Sequence, residues 1–257
     1  IFKDDPEYQN LNPSWMNALN IYGFQTGVPQ YILPWGVFVN RALAEQHNID
    51  VPPVNWTIDQ YTQFVSQSDN KTFWGAMDAP MSFIDTGSKD VSVQIATRTA
   101  SQDYVNINTA AVRDLFDYMP RWARTAIWPQ NDSGNMPGEI MDENWWWSYK
   151  FFIENRLLTL DSDPWMLGDA ANANPDHEMR VKSDDWDVYP RPATKYRGTH
   201  IGLVVDPFVI HNYAMDDGNP ELSDAEYEKL KLAYTFMMFW MNDNGAWQAR
   251  ADQQFND

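Results

Sequence analysis

The pattern of apolar and polar positions along the chain predicts helices alternating with short strands. Apolar residues recur at helical spacing in two long segments, one after Asn108 and one after the capping box Ser223-x-x-Glu226. Residues 31–39 are predicted to be extended and interrupted by Pro34-Trp35-Gly36. Residues 201–210 form a nearly continuous apolar run, as in a strand that is buried on both faces. Helices that alternate with strands predict an α/β architecture.

Shorter signals predict the remaining elements. Asn12-Pro13 opens a short helix, and Thr57-x-x-Gln60 matches a capping box that begins another. Pro120 should kink or split the helix after Asn108, because proline removes a backbone N–H. The apolar stripe of the last long helix predicts core positions at Leu230, Ala233, Phe236, Met237, Trp240 and Met241.

The two apolar extended runs lie far apart in the sequence, and this spacing bears on domain organisation. If they pair across a waist, the roughly 160 residues between them form a separate lobe of ordinary domain size. A cleft between two lobes is a favoured position for a ligand. The pattern therefore predicts two lobes joined by a hinge.

Composition excludes several classes of function. The 257 residues carry a net charge of −18, which argues against nucleic acid or an anionic membrane surface as a partner. There is no cysteine, so disulfides and thiolate metal sites are excluded. The four histidines lack metal-ligand spacing, and no glycine-rich phosphate loop is found, so no cofactor or metal is expected.

Aromatic residues provide the first indication of function, since the chain has 13 Trp, 12 Tyr and 13 Phe. Trp35 lies in the constrained turn Pro34-Trp35-Gly36, and Trp165 follows Asp161 and Asp163 at the end of an apolar run. Proteins hold sugars by stacking an amphipathic ring on the sugar while nearby polar groups bind its hydroxyls. Packing at a hinge is the alternative role for Trp35. The pattern favours a carbohydrate-binding protein.

Further residues are candidates for the same site. Successive helical residues lie ~100° apart, so Trp145, Trp146 and Trp147 cannot share one face, and Trp146 is the candidate to reach the ligand. Asp78 and Asp206 are candidate hydroxyl acceptors. Asp206 lies within an apolar run, where a carboxylate needs a partner, and a salt bridge is the alternative to a ligand. Lining roles are also expected for Tyr189, Phe208 and Arg191.

Several motifs occur in an order that resembles extracellular solute-binding proteins of sugar-uptake ABC transporters. They are Tyr22-Gly23-x-x-x-Gly27-Val-Pro29, Pro34-Trp-Gly-Val-Phe-Val-Asn40, Phe152-Ile-Glu-Asn155-Arg-Leu-Leu158 before Pro164-Trp165, and Trp186-Asp-Val-Tyr-Pro190. The resemblance implies a periplasmic-binding-protein-like α/β fold with two lobes and crossing strands. It assigns residues 1–36 to an incomplete amino-terminal lobe and residues 37–200 to the carboxy-terminal lobe. Residues 201–257 are then the segment in which the chain returns to the amino-terminal lobe. The chain would then be a central fragment.

The function that the resemblance implies is capture of a carbohydrate, expected to be an oligosaccharide, in the cleft between the lobes, and its delivery to a membrane permease. It also implies a monomer outside the cytoplasm, in the periplasm or as a cell-surface lipoprotein, with the signal segment outside this chain. No catalytic residue is expected. Two alternatives stay open: a glycoside hydrolase, which needs two carboxylates about 5–10 Å apart, and a non-catalytic glycan-capture module without a hinge.

Overall fold

Helices and strands alternate along the chain, which confirms the predicted α/β class. The computed structural model describes residues 2–21, 23–77, 96–98, 103–105, 110–127, 151–152, 154–163, 185–211 and 221–255. The chain divides into two compact units, one of Ile1–Leu33 with Leu203–Asp257 and the other of Pro34–Gly202. We call them unit 1 and unit 2. The chain passes from one unit to the other after residues 33 and 202, whereas the sequence placed the lobe boundaries after residues 36 and 200.

Most elements are short. The described helices are α1 (Pro6–Gln9), α2 (Pro13–Ala18), α3 (Arg41–Gln46), α4 (Ile58–Val65), α5 (Ala110–Thr125), α6 (Asp224–Asn242) and α7 (Asn244–Phe255). The described strands are β1 (Asn20–Ile21), β2 (Phe24–Gln25), β3 (Val28–Asn40), β4 (Trp74–Met77), β5 (Ala96–Arg98), β6 (Asp103–Val105), β7 (Ala126–Ile127), β8 (Leu157–Ser162), β9 (Trp186–Tyr189) and β10 (Gly202–Phe208).

Side-chain caps determine where several helices begin. Both predicted capping boxes are present, at Thr57 with Gln60 for α4 and at Ser223 with Glu226 for α6. In each box the two residues satisfy backbone N–H groups that the first helical turn leaves without partners. Asn40 caps α3 by accepting a hydrogen bond from the Leu43 N–H at 2.9 Å. Strand β3 therefore ends at the residue that starts the next helix.

Unit 2 is organised around a mixed sheet. Strand β3 pairs antiparallel with β8 and with β9, so that Val37 lies opposite both Asp161 and Tyr189. Strand β8 pairs in parallel with β4, and β4 pairs in parallel with β7. This arrangement carries the polar end of β8 alongside the Pro34–Gly36 region of β3.

The two faces of β3 pack into different apolar clusters. Val37 and Val39 belong to a cluster with helices α3, α4 and α5, and Phe38 belongs to a cluster on the other face. Indole groups in the first cluster are hydrogen-bonded. Trp56 donates to the Pro190 carbonyl at 2.8 Å, and Trp122 donates to Thr62 Oγ1 at 2.9 Å. Such bonds remove the cost of burying the polar end of a tryptophan.

Helix α4 and strand β4 approach each other more closely than any side chain would allow. A Cβ added at Gly75 would lie 2.2 Å from the carbonyl oxygen of Val65. The Gly75 carbonyl accepts a hydrogen bond from Thr159 Oγ1 at 2.7 Å, and the Tyr61 hydroxyl lies 3.4 Å from the same Oγ1. Burial raises the pKa of Tyr61. Because Thr159 gives its proton to Gly75, Tyr61 is the donor in the second bond.

Unit 1 has its own apolar cluster. Val28, Tyr234, Met237 and Met238 are buried together, and the ring of Phe2 stacks on Tyr234 with centroids 4.1 Å apart. Gly27 comes within reach of β10, since an added Cβ would lie 2.8 Å from the Phe208 carbonyl oxygen. Among the described residues, no helix has the length and apolar character needed to cross a membrane.

Burial on both faces was the wrong prediction for residues 201–210. Ile201, Leu203 and Val209 are each more than half exposed. These residues occupy alternating positions, so they lie on one face of the segment, and that face is the exposed one. In α6, Phe236 was also expected in the core but is exposed, because it lies on the face opposite the buried residues.

Two segments that the sequence predicted to be interrupted are continuous: helix α5 is not split at Pro120, and strand β3 is not broken at Pro34-Trp35-Gly36. Helix α5 continues through Pro120, whose side chain is exposed, while Val112 and Trp122 on the inner face are buried. We attribute the continuity to this packing, which outweighs the lost N–H. Strand β3 likewise runs unbroken through Pro34-Trp35-Gly36. An added Cβ at Gly36 would lie 2.9 Å from the Tyr189 carbonyl oxygen, so glycine permits this strand pairing.

Candidate functional site

The polar residues of unit 2 gather where β8 ends beside β3. Asp161 and Ser162 are the last two residues of β8, and Asp163 follows them; Ser162 and Asp163 are buried. Gly36 lies opposite Ser162 in the sheet, so Trp35 is next to this strand end. We call this group of residues, completed by Arg191 and Gly202, the β8 terminus site.

The centre of the β8 terminus site is a buried ion pair. Asp161 Oδ1 accepts hydrogen bonds from Arg191 Nε at 3.2 Å and from Arg191 Nη2 at 3.3 Å. Arg191 is only 5% exposed. A guanidinium taken out of water requires a partner, and the Asp161 carboxylate provides one. The sequence suggested a lining role for Arg191 but contained no sign of this pairing, because the partners are 30 residues apart.

Trp35 is half-buried, and its Cβ lies beside Gly202, which also packs against the Arg191 guanidinium. Its indole Nε1 is sealed from solvent, and no acceptor for it is found within the described part of the chain. A buried indole N–H normally has an acceptor. The Trp35 ring therefore has a partly exposed apolar surface, and the described residues leave the hydrogen bond of its buried N–H unaccounted for.

Gly202 was not recognised from the sequence. A Cβ at this position would lie 2.7 Å from Arg191 Nη1 and 3.2 Å from the Cβ of Trp35. The backbone is brought there by a bridge in which the Arg191 N–H donates to the His200 carbonyl at 2.7 Å. An isolated glycine next to an apolar run was the only available signal, and it suggests close backbone approach without naming the partner.

The Tyr189 side chain is held in place by a hydrogen bond and an aromatic contact. Its hydroxyl donates to the Pro52 carbonyl at 3.1 Å, and its ring packs edge-on against Trp56 with centroids 5.1 Å apart. Burial raises the pKa of the Tyr189 hydroxyl, with a smaller contribution from the negative charge of Asp187. These contacts give Tyr189 a packing role beside the site, and its contact with a ligand stays a prediction.

The remaining candidates divide between unit 1 and the undescribed residues. Asp206 is half-buried in β10, and no ion pair to it is found among the residues that the structure describes. Phe208 packs against the unit 1 cluster and lines a cavity of about 340 Å³ with Phe2 and Tyr8. Trp165, Trp146 and Asp78 lie outside the described residues. Their roles stay predictions.

A groove of about 550 Å³ on unit 2 was missed entirely by sequence reasoning. Tyr118 donates to Asp59 Oδ1 at 2.6 Å, and Tyr196 donates to Asp114 Oδ2 at 2.6 Å. Burial, together with the hydrogen bond to Asp59, raises the pKa of Tyr118 to about 12. Lys195 also pairs with Asp114. Because these polar groups satisfy one another, nothing about the groove points to a ligand.

Metal binding finds no support in the described residues, among which no group of three or more His, Asp or Glu side chains is placed to hold an ion. The chemistry available at the β8 terminus site is hydrogen bonding and aromatic contact. An indole ring, a guanidinium and carboxylates suit a neutral ligand with many hydroxyl groups.

Comparison with solved structures identifies the fold. An ABC substrate-binding protein from Listeria monocytogenes in complex with cycloalternan matches with a TM-score of 0.61 and 16% identity, over 98% of this chain and 57% of that chain. The fold is that of the ABC solute-binding proteins. This periplasmic-binding-protein-like class agrees with the prediction from sequence motifs.

Other solute-binding proteins match equally well. One from Thermotoga lettingae, bound with α-D-tagatose, has a TM-score of 0.61 and 13% identity over 98% of this chain and 59% of that one. Maltose-bound MalE3 of T. maritima has a TM-score of 0.60 and 13% identity, over 93% of this chain and 56% of that one. The chain thus spans between half and two thirds of the length of these proteins. No protein-family model and no curated protein matches the sequence.

Proposed function

We propose that this chain is part of the substrate-binding component of an ABC transporter, which captures a carbohydrate and delivers it to a membrane permease. The fold carries the proposal. Solute-binding proteins with this fold are described in complex with cycloalternan, tagatose, maltose and maltotetraose. An oligosaccharide is the ligand class we favour, since several of these are oligosaccharides.

The β8 terminus site provides chemical support for a saccharide. Trp35 has an indole ring with a donor that lacks an acceptor among the described residues. Trp165 follows the buried Asp163 by two positions in the chain, so a second indole belongs to the same stretch of sequence. Indole rings beside carboxylates can hold the apolar face of a sugar and its hydroxyl groups together.

The proposed role involves binding without chemistry. A glycoside hydrolase needs a carboxylic acid and a second carboxylate facing each other across the scissile bond. Asp161 is ion-paired with Arg191, and Glu154 lies 3.7 Å from Arg156 in another ion pair. These carboxylates are thus engaged with arginines, which supports the non-enzymatic proposal.

The proposal includes a location outside the cytoplasm, in the periplasm or as a cell-surface lipoprotein, and a monomeric state. Structures with the same fold include an extracellular solute-binding protein from Staphylococcus aureus and an oligosaccharide periplasmic-binding protein from Synechococcus. The large negative charge fits this setting, because it favours solubility and does not oppose binding of a neutral sugar.

Calorimetric titration of the full-length protein with maltose, maltotetraose, tagatose and ribitol tests the proposal. We expect saturable binding of at least one sugar, with the sugar recovered unchanged by chromatography. Trp165→Ala and Trp35→Ala should each weaken binding about tenfold, since an aromatic contact contributes about 0.5–1.5 kcal/mol beyond buried area.

Trp15→Ala is the matched control, because Trp15 is an exposed tryptophan of α2 in unit 1. Its affinity should equal that of the wild type. Sugar consumed during incubation would favour the hydrolase instead. Failure of every sugar to bind, or unchanged affinity in folded Trp165→Ala and Trp35→Ala proteins, would contradict the proposed function or its site.

A further inference from the structure

Arg191 is held more firmly than the pairing with Asp161 alone requires. Two of its N–H groups donate to Asp161 Oδ1, and its backbone exchanges hydrogen bonds with His200 in both directions, at 2.7 and 3.3 Å. Both the main chain and the side chain of Arg191 are thereby fixed. A planar guanidinium fixed in this way has one orientation rather than several.

The opposite side of this guanidinium is closed by Gly202. An added Cβ would lie 2.7 Å from Nη1 and 3.2 Å from Cζ of Arg191. The same atom would lie 3.2 Å from the Cβ of Trp35. The backbone of Gly202 is therefore packed against both side chains, and the missing side chain leaves the space they need. Contacts this close transmit any shift of one group to the others.

The indole of Trp35 is the group whose orientation matters for a ligand. The pyrrole N–H of this ring is buried, and no acceptor for it is found among the described residues, so steric contact is the orienting interaction that those residues show. The steric contact on Trp35 is made at its Cβ, beside the Gly202 backbone. Arg191, held by Asp161, packs against the same backbone, so its position reaches Trp35 through Gly202.

We propose that Arg191 is a positioning residue for the Trp35 ring: Asp161 fixes the guanidinium, and the Gly202 backbone, which packs against both Arg191 and the Cβ of Trp35, transmits its position to the ring. This inference rests on the proposed function, in which Trp35 contacts the sugar. The three residues act through Trp35, and they determine which sugar face the ring can accept.

The surroundings of the Trp35 ring can be followed by its ¹⁹F chemical shift in the full-length protein labelled with 5-fluorotryptophan. The Trp35 resonance is assigned as the one that disappears in Trp35→Phe. Gly202→Ala and Arg191→Met should each shift this resonance. Gly198→Ala is the matched control, because a Cβ at Gly198 meets no atom within 4 Å, and it should leave the Trp35 resonance in place.

Affinity is measured on the same variants with the sugars used above. Gly202→Ala and Arg191→Met should weaken sugar binding about tenfold, as expected when one aromatic contact is misplaced. Gly198→Ala should bind like the wild type. If Gly202→Ala does not fold, as judged by circular dichroism, Asp161→Asn replaces it and should shift the Trp35 resonance as well.

The outcomes separate the two proposals. If no sugar binds to the wild-type protein, the proposed function fails, while the ¹⁹F spectra still test whether Arg191 positions Trp35. A Trp35 resonance that stays unchanged in Arg191→Met and Gly202→Ala overturns the positioning role even if sugar binds. A shifted resonance with unchanged affinity also overturns it, since orientation would then not affect the ligand.

Discussion

At the scale of single residues, charged groups in this chain act through defined partners. Asp161 and Arg191 form one buried pair, and Asp69 organises a turn by accepting several hydrogen bonds. In both cases the carboxylate serves as an acceptor for donors that are already positioned by the backbone. Such groups stabilise local geometry, whereas exposed ion pairs contribute little to stability.

The turn at Asp69 gives a prediction about pH. Burial alone would raise the pKa of Asp69, but hydrogen bonds from Thr72 Oγ1 and the N–H groups of Lys71, Thr72 and Phe73 lower it far below its ordinary value. A carboxyl whose folded pKa is depressed stabilises the fold fully above its unfolded pKa of about 4 and loses that effect as pH falls through the folded value.

Asp69→Ala should therefore lower the free energy of unfolding at pH 7, and the difference from the wild type should shrink as the pH falls below about 4. Urea unfolding at a series of pH values measures this. Asp50→Ala is a control, since Asp50 is an exposed aspartate for which the described residues provide no comparable set of hydrogen bonds. A difference that stays constant down to pH 2 would argue against the carboxylate as the cause.

At the scale of helices and strands, capping sets where elements begin and packing sets how far they run. The α4 and α6 capping boxes mark the first residues of those helices. Helix α5 runs past Pro120 because its inner face is buried. Local signals thus predict the beginnings of helices better than their interruptions.

Loss of a capping box should have a measurable cost. Thr57→Ala and Ser223→Ala should each lower the free energy of unfolding by about 1 kcal/mol, because an N–H in the first turn loses its acceptor. Thr235→Ala is the matched control: its hydroxyl donates to the Lys231 carbonyl within α6 and caps nothing. Alanine is the better helix former, so this change should be neutral or slightly stabilising. Equal costs at all three positions in chemical denaturation would exclude a capping effect.

Helix α6 has apolar residues on two opposite faces, and only one of them is buried in this chain. Met237 is 3% exposed, whereas its neighbour Phe236 is 56% exposed. Met237→Ala should lower the free energy of unfolding by about 2–5 kcal/mol through the cavity it leaves. Phe236→Ala should change it by less than about 1 kcal/mol, as for most surface substitutions. Thermal or urea unfolding of the two variants compares them directly, and a larger loss for Phe236→Ala would show that this face is covered.

At the scale of the whole molecule, features that depend on neighbouring residues in the sequence could be predicted and features that depend on distant contacts could not. The α/β class, the capping boxes at Thr57 and Ser223, and the motifs typical of solute-binding proteins were all local. The pairing of Asp161 with Arg191 was not, because no local pattern links residues of two segments that meet only in the fold.

Exposure of apolar residues was also beyond prediction from sequence. An apolar run such as residues 201–210 is typical of a strand covered on both faces, and nothing local distinguishes a covered face from an open one. Leu203 and Phe236 show that the apolar pattern describes which residues can be buried. Whether they are buried depends on which elements lie beside them.

The contact between Gly75 and Val65 has a consequence for how unit 2 can vary. The separation of α4 from β4 is determined there by the Gly75 backbone, which lies against the carbonyl group and Cβ of Val65. Elsewhere in a core, neighbouring side chains can repack to accommodate a larger or smaller residue, but at Gly75 there is no flexible side chain that could move aside. Any other residue at position 75 would place its Cβ against Val65 and push the helix and strand apart. The present distance between α4 and β4 therefore requires glycine at this position.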